Sequence, residues 1–318
     1  MPIPSSRPTS PDTVPSRTPP VTEAAVIGSW QLDGLVAEGS FSQVYRVRPA
    51  AASADRPAAY AMKVLRPEHE EDSQALALFR REAQAGRRIA HSHVIPVLDA
   101  AVQHPPRFLV MPLLEGCTLE DRLGRNGDGR RLRRPDPPEA LWIARQAAEA
   151  LTAFHREGFV HGDIKPANLF LNDALHVTLI DLGFARRAGG TAGEAVTMGT
   201  VRYMAPETLC RGHAADIRSD LYSLGVVLFE MLFGRHPFES DDPAELAAAH
   251  RTVRPRGQRG QAPHLDGALF SLLASLLAKE PLRRPQTPAE LTERLAAAEI
   301  ACFADRGLAC CGLAAGWG

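Results

Sequence analysis

The sequence predicts an α+β fold, and three observations carry that expectation. Short runs of strand character crowd the first third of the 318-residue chain, among them Tyr60-Ala61-Met62-Lys63-Val64-Leu65 and Phe108-Leu109-Val110-Met111. One helical run separates them: from Asp72-Ser73 on, Gln74-Ala75-Leu76-Ala77-Leu78-Phe79-Arg80-Arg81-Glu82-Ala83 are strong helix formers behind a capping residue. Later, the stretch opened by Asp216 and running through Leu224, Val226, Val227, Leu228 and Phe229 is apolar all round, the mark of a buried helix. A hydrophobic content of 45% is ample for a core. The formal net charge of −1 gives no case for nucleic-acid binding or bulk membrane attraction.

Residues 1–26 are rich in Pro, Ser and Thr and poor in large apolar side chains. They cannot bury enough surface to offset the entropy of ordering, so a disordered tail is expected there. It lacks the basic start and apolar centre of a secretory signal. Its Ser10-Pro11 and Thr18-Pro19 pairs are weak phosphorylation signals. Arg130, Arg131, Arg133 and Arg134 precede a capped helix near Asp136; a solvated loop is the expectation there, with an acidic-substrate dock as the alternative. Thr287-Pro288-Ala289-Glu290 caps a last helix expected to end near Ala298.

The remainder, residues 299–318, is an apolar tail carrying Cys302, Cys310 and Cys311. Asp305 and Arg306 interrupt it, so no stretch reaches the roughly twenty apolar residues that span a bilayer. No transmembrane segment is expected. The five cysteines show no metal-ligand spacing and read as reduced thiols, which favours a cytoplasmic location.

The most specific stretch is His161-Gly162-Asp163-Ile164-Lys165-Pro166-Ala167-Asn168, followed by Ile180-Asp181-Leu182-Gly183. Phosphoryl transfer from a magnesium nucleotide needs one carboxylate to take or orient the proton of the attacking hydroxyl. It needs a second carboxylate and an amide oxygen to hold the metal against the β- and γ-phosphates. Asp163, Asp181 and Asn168 are groups of those kinds. On these residues the chain resembles the protein kinases. Asp163-Ile164-Lys165-Pro166 is similar to the form found in serine/threonine enzymes, here of the eukaryotic-like type that bacteria carry.

That resemblance implies a bilobal fold: a small β-rich lobe with one main helix over residues 27–111, and a larger helical lobe over residues 115–298. ATP and Mg²⁺ (Mn²⁺ as an alternative ion) would bind between them. By the same resemblance Asp163 is the base or orienter, Lys165 contacts the γ-phosphate, and Asn168 and Asp181 hold the metal. Ala37, Gly39 and Ser42 stand at the three positions of a glycine-rich loop over the phosphates, with Val44 beyond. Ala61 and Lys63 lie on the strand facing the nucleotide, Lys63 reaching the α- and β-phosphates, and Glu82 pairs with Lys63. Met111 guards the back of the adenine pocket, while the Pro112 C=O and Leu114 N–H pair with adenine. Thr200 would contact Asp163 and Lys165 around a Ser or Thr substrate. Glu207, in Ala205-Pro206-Glu207, would pair with Arg284, and Asp220 would accept hydrogen bonds from the catalytic loop. The implied partners are proteins presenting serine or threonine; the oligomeric state is not implied.

Several residues depart from the family pattern. Two of the three loop glycines are missing, which restricts the backbone, and a proline stands in the hinge at a position that uses only its carbonyl. Leu182 replaces the usual phenylalanine. Gly162 stands where regulated kinases carry an arginine that binds an activation-segment phosphate, so the expectation is an enzyme that works without phosphorylation at Thr191 or Thr197. Two competing readings follow from these residues. A nucleotide-binding pseudokinase is favoured by the eroded loop and the hinge. A small-molecule kinase of the aminoglycoside type is favoured by His161-Gly162-Asp163 and opposed by Lys165 and Thr200.

Overall fold

The strand-like runs of the first third pair into one antiparallel sheet. A computed structural model of the chain describes residues 25–53, 55, 57–124, 134–189, 201–209, 216–255 and 267–314. Its first lobe contains β1 (Val26–Ile27), β2 (Trp30–Glu38), β3 (Ser42–Pro49), β4 (Tyr60–Leu65), α1 (Ser73–Arg88), β5 (Asp99–Ala101) and β6 (Phe108–Pro112). The six strands lie in the order β1-β2-β3-β4-β6-β5, every pair antiparallel. Asp72 caps α1, its Oδ1 accepting from the N–H groups of Gln74 and Ala75.

Register divides the sheet into two faces, because side chains alternate along a strand. Lys63 lies opposite both Val44 and Leu109, Ala61 lies opposite Met111, and Ala37 lies opposite Val44. Those residues therefore share one face, which packs Leu65 and Leu109 against Ala75, Phe79 and Ala83 of α1. The other face buries Val47, Met62, Phe108 and Val110 under Trp30, Leu32 and Tyr60. The helix sits close: a Cβ added at Gly86 would lie 2.5 Å from Val97 Cγ2, and the Val97 N–H donates to the Gly86 carbonyl at 3.0 Å.

The second lobe is mostly helical. It holds β7 (Cys117–Thr118), α2 (Leu119–Arg122), α3 (Pro137–Arg156), β8 (Phe159–Val160), β9 (Leu169–Leu171), β10 (Val177–Leu179) and β11 (Arg186–Arg187). Four helices follow: α4 (Ile217–Phe233), α5 (Pro243–Thr252), α6 (Gly267–Leu276) and α7 (Pro288–Ala314). Two small sheets, β10-β9-β7 and β11-β8, carry the catalytic loop and its neighbours. The core runs through α3, α4 and α6. In α4 all residues from Ser219 to Leu232 are buried, which explains the all-round apolar pattern. Met111 and Leu114 pack at the margin of this second core, so the hinge is anchored to both lobes.

One boundary differs from the sequence reading. Helix α7 continues to Ala314 instead of ending near Ala298. No proline follows Pro288, Ala296, Ala297 and Ala298 favour helix, and Glu299 pairs with Arg145 of α3 at 2.9 Å. Among the described residues no helix is long and apolar enough to cross a membrane. Residues 1–24, Arg130, Arg131 and Arg133 lie outside the described residues, as do the side chains of Cys310 and Cys311.

Candidate active site

Three charged groups meet where the sheet faces the second lobe. Lys63 Nζ lies 2.6 Å from Glu82 Oε2 and 3.2 Å from Asp181 Oδ1. Strand β4 supplies the lysine and α1 the glutamate; Asp181 follows β10. Burial alone would lower the Lys63 pKa, but Asp181 and Glu82 outweigh it and hold it above the ordinary value. Burial pushes Glu82 up, with Lys63 opposing, whereas Lys63 holds Asp181 below the usual carboxylate range. Asp181 stays charged and its side chain remains 40% exposed to the cleft. Its backbone takes the left-handed conformation at φ 59°, uncommon for a residue with a Cβ and found where a site fixes its geometry.

The catalytic loop runs from β8 to β9. Asp163 is buried, and its Oδ2 accepts from Lys165 Nζ at 2.7 Å and Asn168 Nδ2 at 2.9 Å. Its other oxygen, Oδ1, is buried without a hydrogen-bond partner. An acceptor left over in this way, beside two that are engaged, suits an incoming hydroxyl. Burial raises the Asp163 pKa, with Lys165 lowering it in opposition. Asn168 Nδ2 also donates to the Asp163 carbonyl at 2.8 Å, which fixes the amide with its oxygen turned away from Asp163. That oxygen and the Asp181 carboxylate are hard donors of the kind Mg²⁺ accepts beside substrate phosphates. Among the described residues no group of three or more His, Cys, Asp or Glu could hold a metal alone.

The loop is held from beneath. Asp220 on α4 accepts from the His161 N–H at 2.7 Å and the Gly162 N–H at 2.8 Å. Burial pushes its pKa up to about 7 against those two donors. His161 Nδ1 accepts from the Asp163 N–H at 3.2 Å, and burial lowers its pKa to about 4, so the ring is neutral at pH 7. Gly162 has φ 80°, and a Cβ there would lie 3.0 Å from Arg186 Nη1 and 3.1 Å from the Phe184 carbonyl. The Arg186 guanidinium occupies the side of the loop where a side chain at position 162 would go.

Further out, Arg284 is buried and uses every donor of its guanidinium. Nη1 and Nη2 reach the two Glu207 oxygens at 2.7 and 2.8 Å, and the remaining donors reach the carbonyls of Ala278, Arg218 and Lys279. Ser219 Oγ donates to Glu207 Oε1 at 2.7 Å. Thr200 lies outside the described residues.

On the sheet side, Ala37, Val44, Ala61, Lys63 and Met111 share the cleft face by register. Gly39 closes the turn between β2 and β3, its N–H donating to the Ser42 carbonyl at 2.8 Å. At the hinge Pro112 has no N–H, and the Leu113 N–H is used by the Ala59 carbonyl at 3.0 Å. Leu114 is thus the next hinge donor, and the Pro112 carbonyl is the acceptor before it. The parts played by Arg186, Ser219 and the His161 ring were missed by sequence reasoning. Their partners stand elsewhere in the chain, and a surface-type arginine or serine gives no local signal of that.

A carboxylate-flanked lysine facing an unsatisfied aspartate across a cleft is built to hold a nucleotide's phosphates beside a reacting hydroxyl, as phosphotransferases do. The protein kinase domain family matches residues 30–295, and the chain belongs to that family. Members use ATP with a divalent metal ion and act on proteins. Among its relatives are serine/threonine-protein kinase PknB of Mycobacterium leprae, 34% identical over 274 residues, and PknB of Mycobacterium tuberculosis, 33% identical over 271. Serine/threonine-protein kinase PrkC of Bacillus subtilis is 28% identical over 268 residues. The matches cover 82%, 82% and 84% of this chain but 42%, 41% and 40% of those proteins. The chain therefore aligns with about two fifths of the length of these relatives.

Proposed function

We propose that this chain is a serine/threonine protein kinase that transfers the γ-phosphate of ATP to Ser or Thr hydroxyls of proteins. The observation that carries the reading is Asp163: one oxygen engaged by Lys165 and Asn168, the other buried and free to accept a hydroxyl proton. Lys63, fixed by Glu82, would hold the α- and β-phosphates, and Lys165 would reach from Asp163 to the γ-phosphate as the proton moves to Asp163 Oδ1. A divalent ion, Mg²⁺ in this reading, would neutralise charge on the β- and γ-oxygens from Asp181 and Asn168. Met111, the Pro112 carbonyl and the Leu114 N–H would set the adenine. Thr200 is proposed beside Asp163 and Lys165, on the side of the substrate hydroxyl. The relatives' names support the serine/threonine class, and the need for ATP supports a cytoplasmic location.

Catalysis without obligatory activation-segment phosphorylation is part of this proposal. It is supported by the left-handed backbone of Gly162 and by Arg186, which fills the space an arginine there would need. Replacing Thr191 and Thr197 together with alanine is expected to leave the rate within about twofold; a collapse would refute independence.

The reading as a whole is tested by transfer of labelled γ-phosphate from Mg-ATP to a basic protein, followed by phosphoamino-acid analysis. Phosphoserine or phosphothreonine is expected. Binding of Mg-ATP with no transfer would favour the pseudokinase, and transfer confined to a small hydroxylated or aminated compound would favour the aminoglycoside-type class.

A further inference from the structure

The turn between β2 and β3 lacks two glycines, yet its backbone is fixed from outside. Arg66 Nε donates to the Gly39 carbonyl at 3.1 Å, and the Arg66 N–H donates to the Phe41 carbonyl at 3.0 Å. His69 Nε2 lies 3.1 Å from the Ser40 carbonyl, and a carbonyl partner makes that nitrogen the protonated one. The His69 ring also meets Phe41 edge-on, with centroids 5.0 Å apart. Both side chains are 26% exposed and their contacts with the turn lie at the surface.

Three consecutive carbonyls thus face the segment that follows β4. In a planar trans peptide the C=O and the next N–H point in opposite directions. The N–H groups of Ser40 and Phe41 are therefore turned away from Arg66 and His69, and neither finds a backbone acceptor among the described residues. Successive N–H groups presented together form an anion-binding concavity.

Resting on the kinase reading, we propose that Arg66 and His69 are positioning residues for the nucleotide. They hold the loop's carbonyls outward and present the Ser40 and Phe41 N–H groups to the β- and γ-phosphates. The pins replace conformational freedom: where glycines would let a loop settle around phosphate, Ala37 and Ser42 restrict it, and side-chain contacts set its shape in advance.

The test compares Mg-ATP with adenosine, which shares the base but carries no phosphate. Calorimetric affinities and the KM for ATP are measured on the full chain, as wild type, Arg66→Gln, His69→Phe and His69→Gln. His69→Phe keeps the ring against Phe41 and removes the donor, whereas His69→Gln keeps a donor. Arg66→Gln and His69→Phe are expected to weaken Mg-ATP binding and raise its KM about tenfold, the worth of one or two hydrogen bonds. Adenosine affinity and kcat should stay within about twofold, and His69→Gln should recover part of the loss. Equal losses for Mg-ATP and adenosine would make these residues supports of the fold and overturn the proposal. Unchanged Mg-ATP affinity would overturn it too. A wild type that binds neither compound would defeat the kinase reading itself, and this proposal with it.

Discussion

Residues 161–168, proposed to carry the catalytic aspartate, and residues 38–42, proposed to cover the nucleotide's phosphates, are built in contrasting ways. Residues 161–168 are anchored from below by buried groups: Asp220 takes two backbone N–H donors, Asn168 ties Asp163 to the loop, and Arg284 with Glu207 closes the layer beneath. Residues 38–42 are mostly exposed and depend on Arg66 and His69, side chains of the segment that follows β4. The difference follows from what each has to do. Charge that develops in a transition state is best met by groups that do not move, so the catalytic side is buried and overdetermined. A cover over phosphates must admit and release a nucleotide, so its restraints are few and near solvent.

The contrast can be broken most forcefully at its buried end. Glu207→Ala leaves the Arg284 guanidinium buried without its carboxylate, and the expected loss is about 3–5 kcal/mol of stability. Thermal unfolding should show a large drop in Tm; a small one would mean that the three remaining carbonyl contacts suffice. Asp220→Asn offers one acceptor oxygen where two N–H donors converge, so one is stranded. About 1–3 kcal/mol is expected from denaturant unfolding, together with a fall in kcat as His161 and Gly162, which lead into Asp163, lose their anchor. Unchanged stability and rate would contradict the overdetermined catalytic side.

A pH profile sharpens the comparison without mutation. Asp163 must be ionised to accept a proton, and burial raises its pKa. Activity should accordingly fall on acidification, with a midpoint above the value of about 3.9 for an ordinary aspartate. Lys63 titrates above its usual range and Asp181 below it, so neither should add a step near neutrality. A rate that does not fall on acidification would remove Asp163 from the role of base.

The smallest effects belong to the surface. Arg88→Ala breaks a pair with Glu157 whose side chains are 51% and 39% exposed, and less than about 1 kcal/mol is expected. Arg66→Gln should resemble it in Tm and differ from it in the KM for ATP. If Arg66→Gln cost as much stability as Glu207→Ala, the distinction between the two loops would fail.

Much of this was legible in the sequence because the groups that do chemistry are grouped along the chain. Asp163, Lys165 and Asn168 stand within one turn-rich stretch, and the apolar run after Asp216 announces a buried helix before any partner is known. The α+β class is visible in the strand and helix runs, and the two lobes are what the resemblance to the protein kinases implied. What could not be read is pairing across distance. Arg284 shows no local sign that five donors converge on Glu207 and three carbonyls, and Gly162 does not disclose that Arg186 covers it. Register was hidden as well: Val44 and Met111 share a face with Lys63 because of strand pairing, whereas Ala61 shares it by spacing along β4. The end of α7 was misjudged for a related reason. The apolar tail after Ala298 carries no amphipathic period that marks a helix end, and the Arg145–Glu299 pair that ties the helix to α3 joins two distant segments.

The central claim is that Asp163 accepts the hydroxyl proton in a site otherwise complete for phosphoryl transfer. It is tested most directly by comparing wild type with Asp163→Asn in transfer of labelled γ-phosphate from Mg-ATP to a basic protein, with Mg-ATP affinity measured on the same samples. The account predicts phosphoserine or phosphothreonine from the wild type. It predicts a rate about 10²–10⁴-fold lower for Asp163→Asn, with nucleotide affinity nearly unchanged. A variant that binds Mg-ATP and transfers phosphate as fast as the wild type would contradict it.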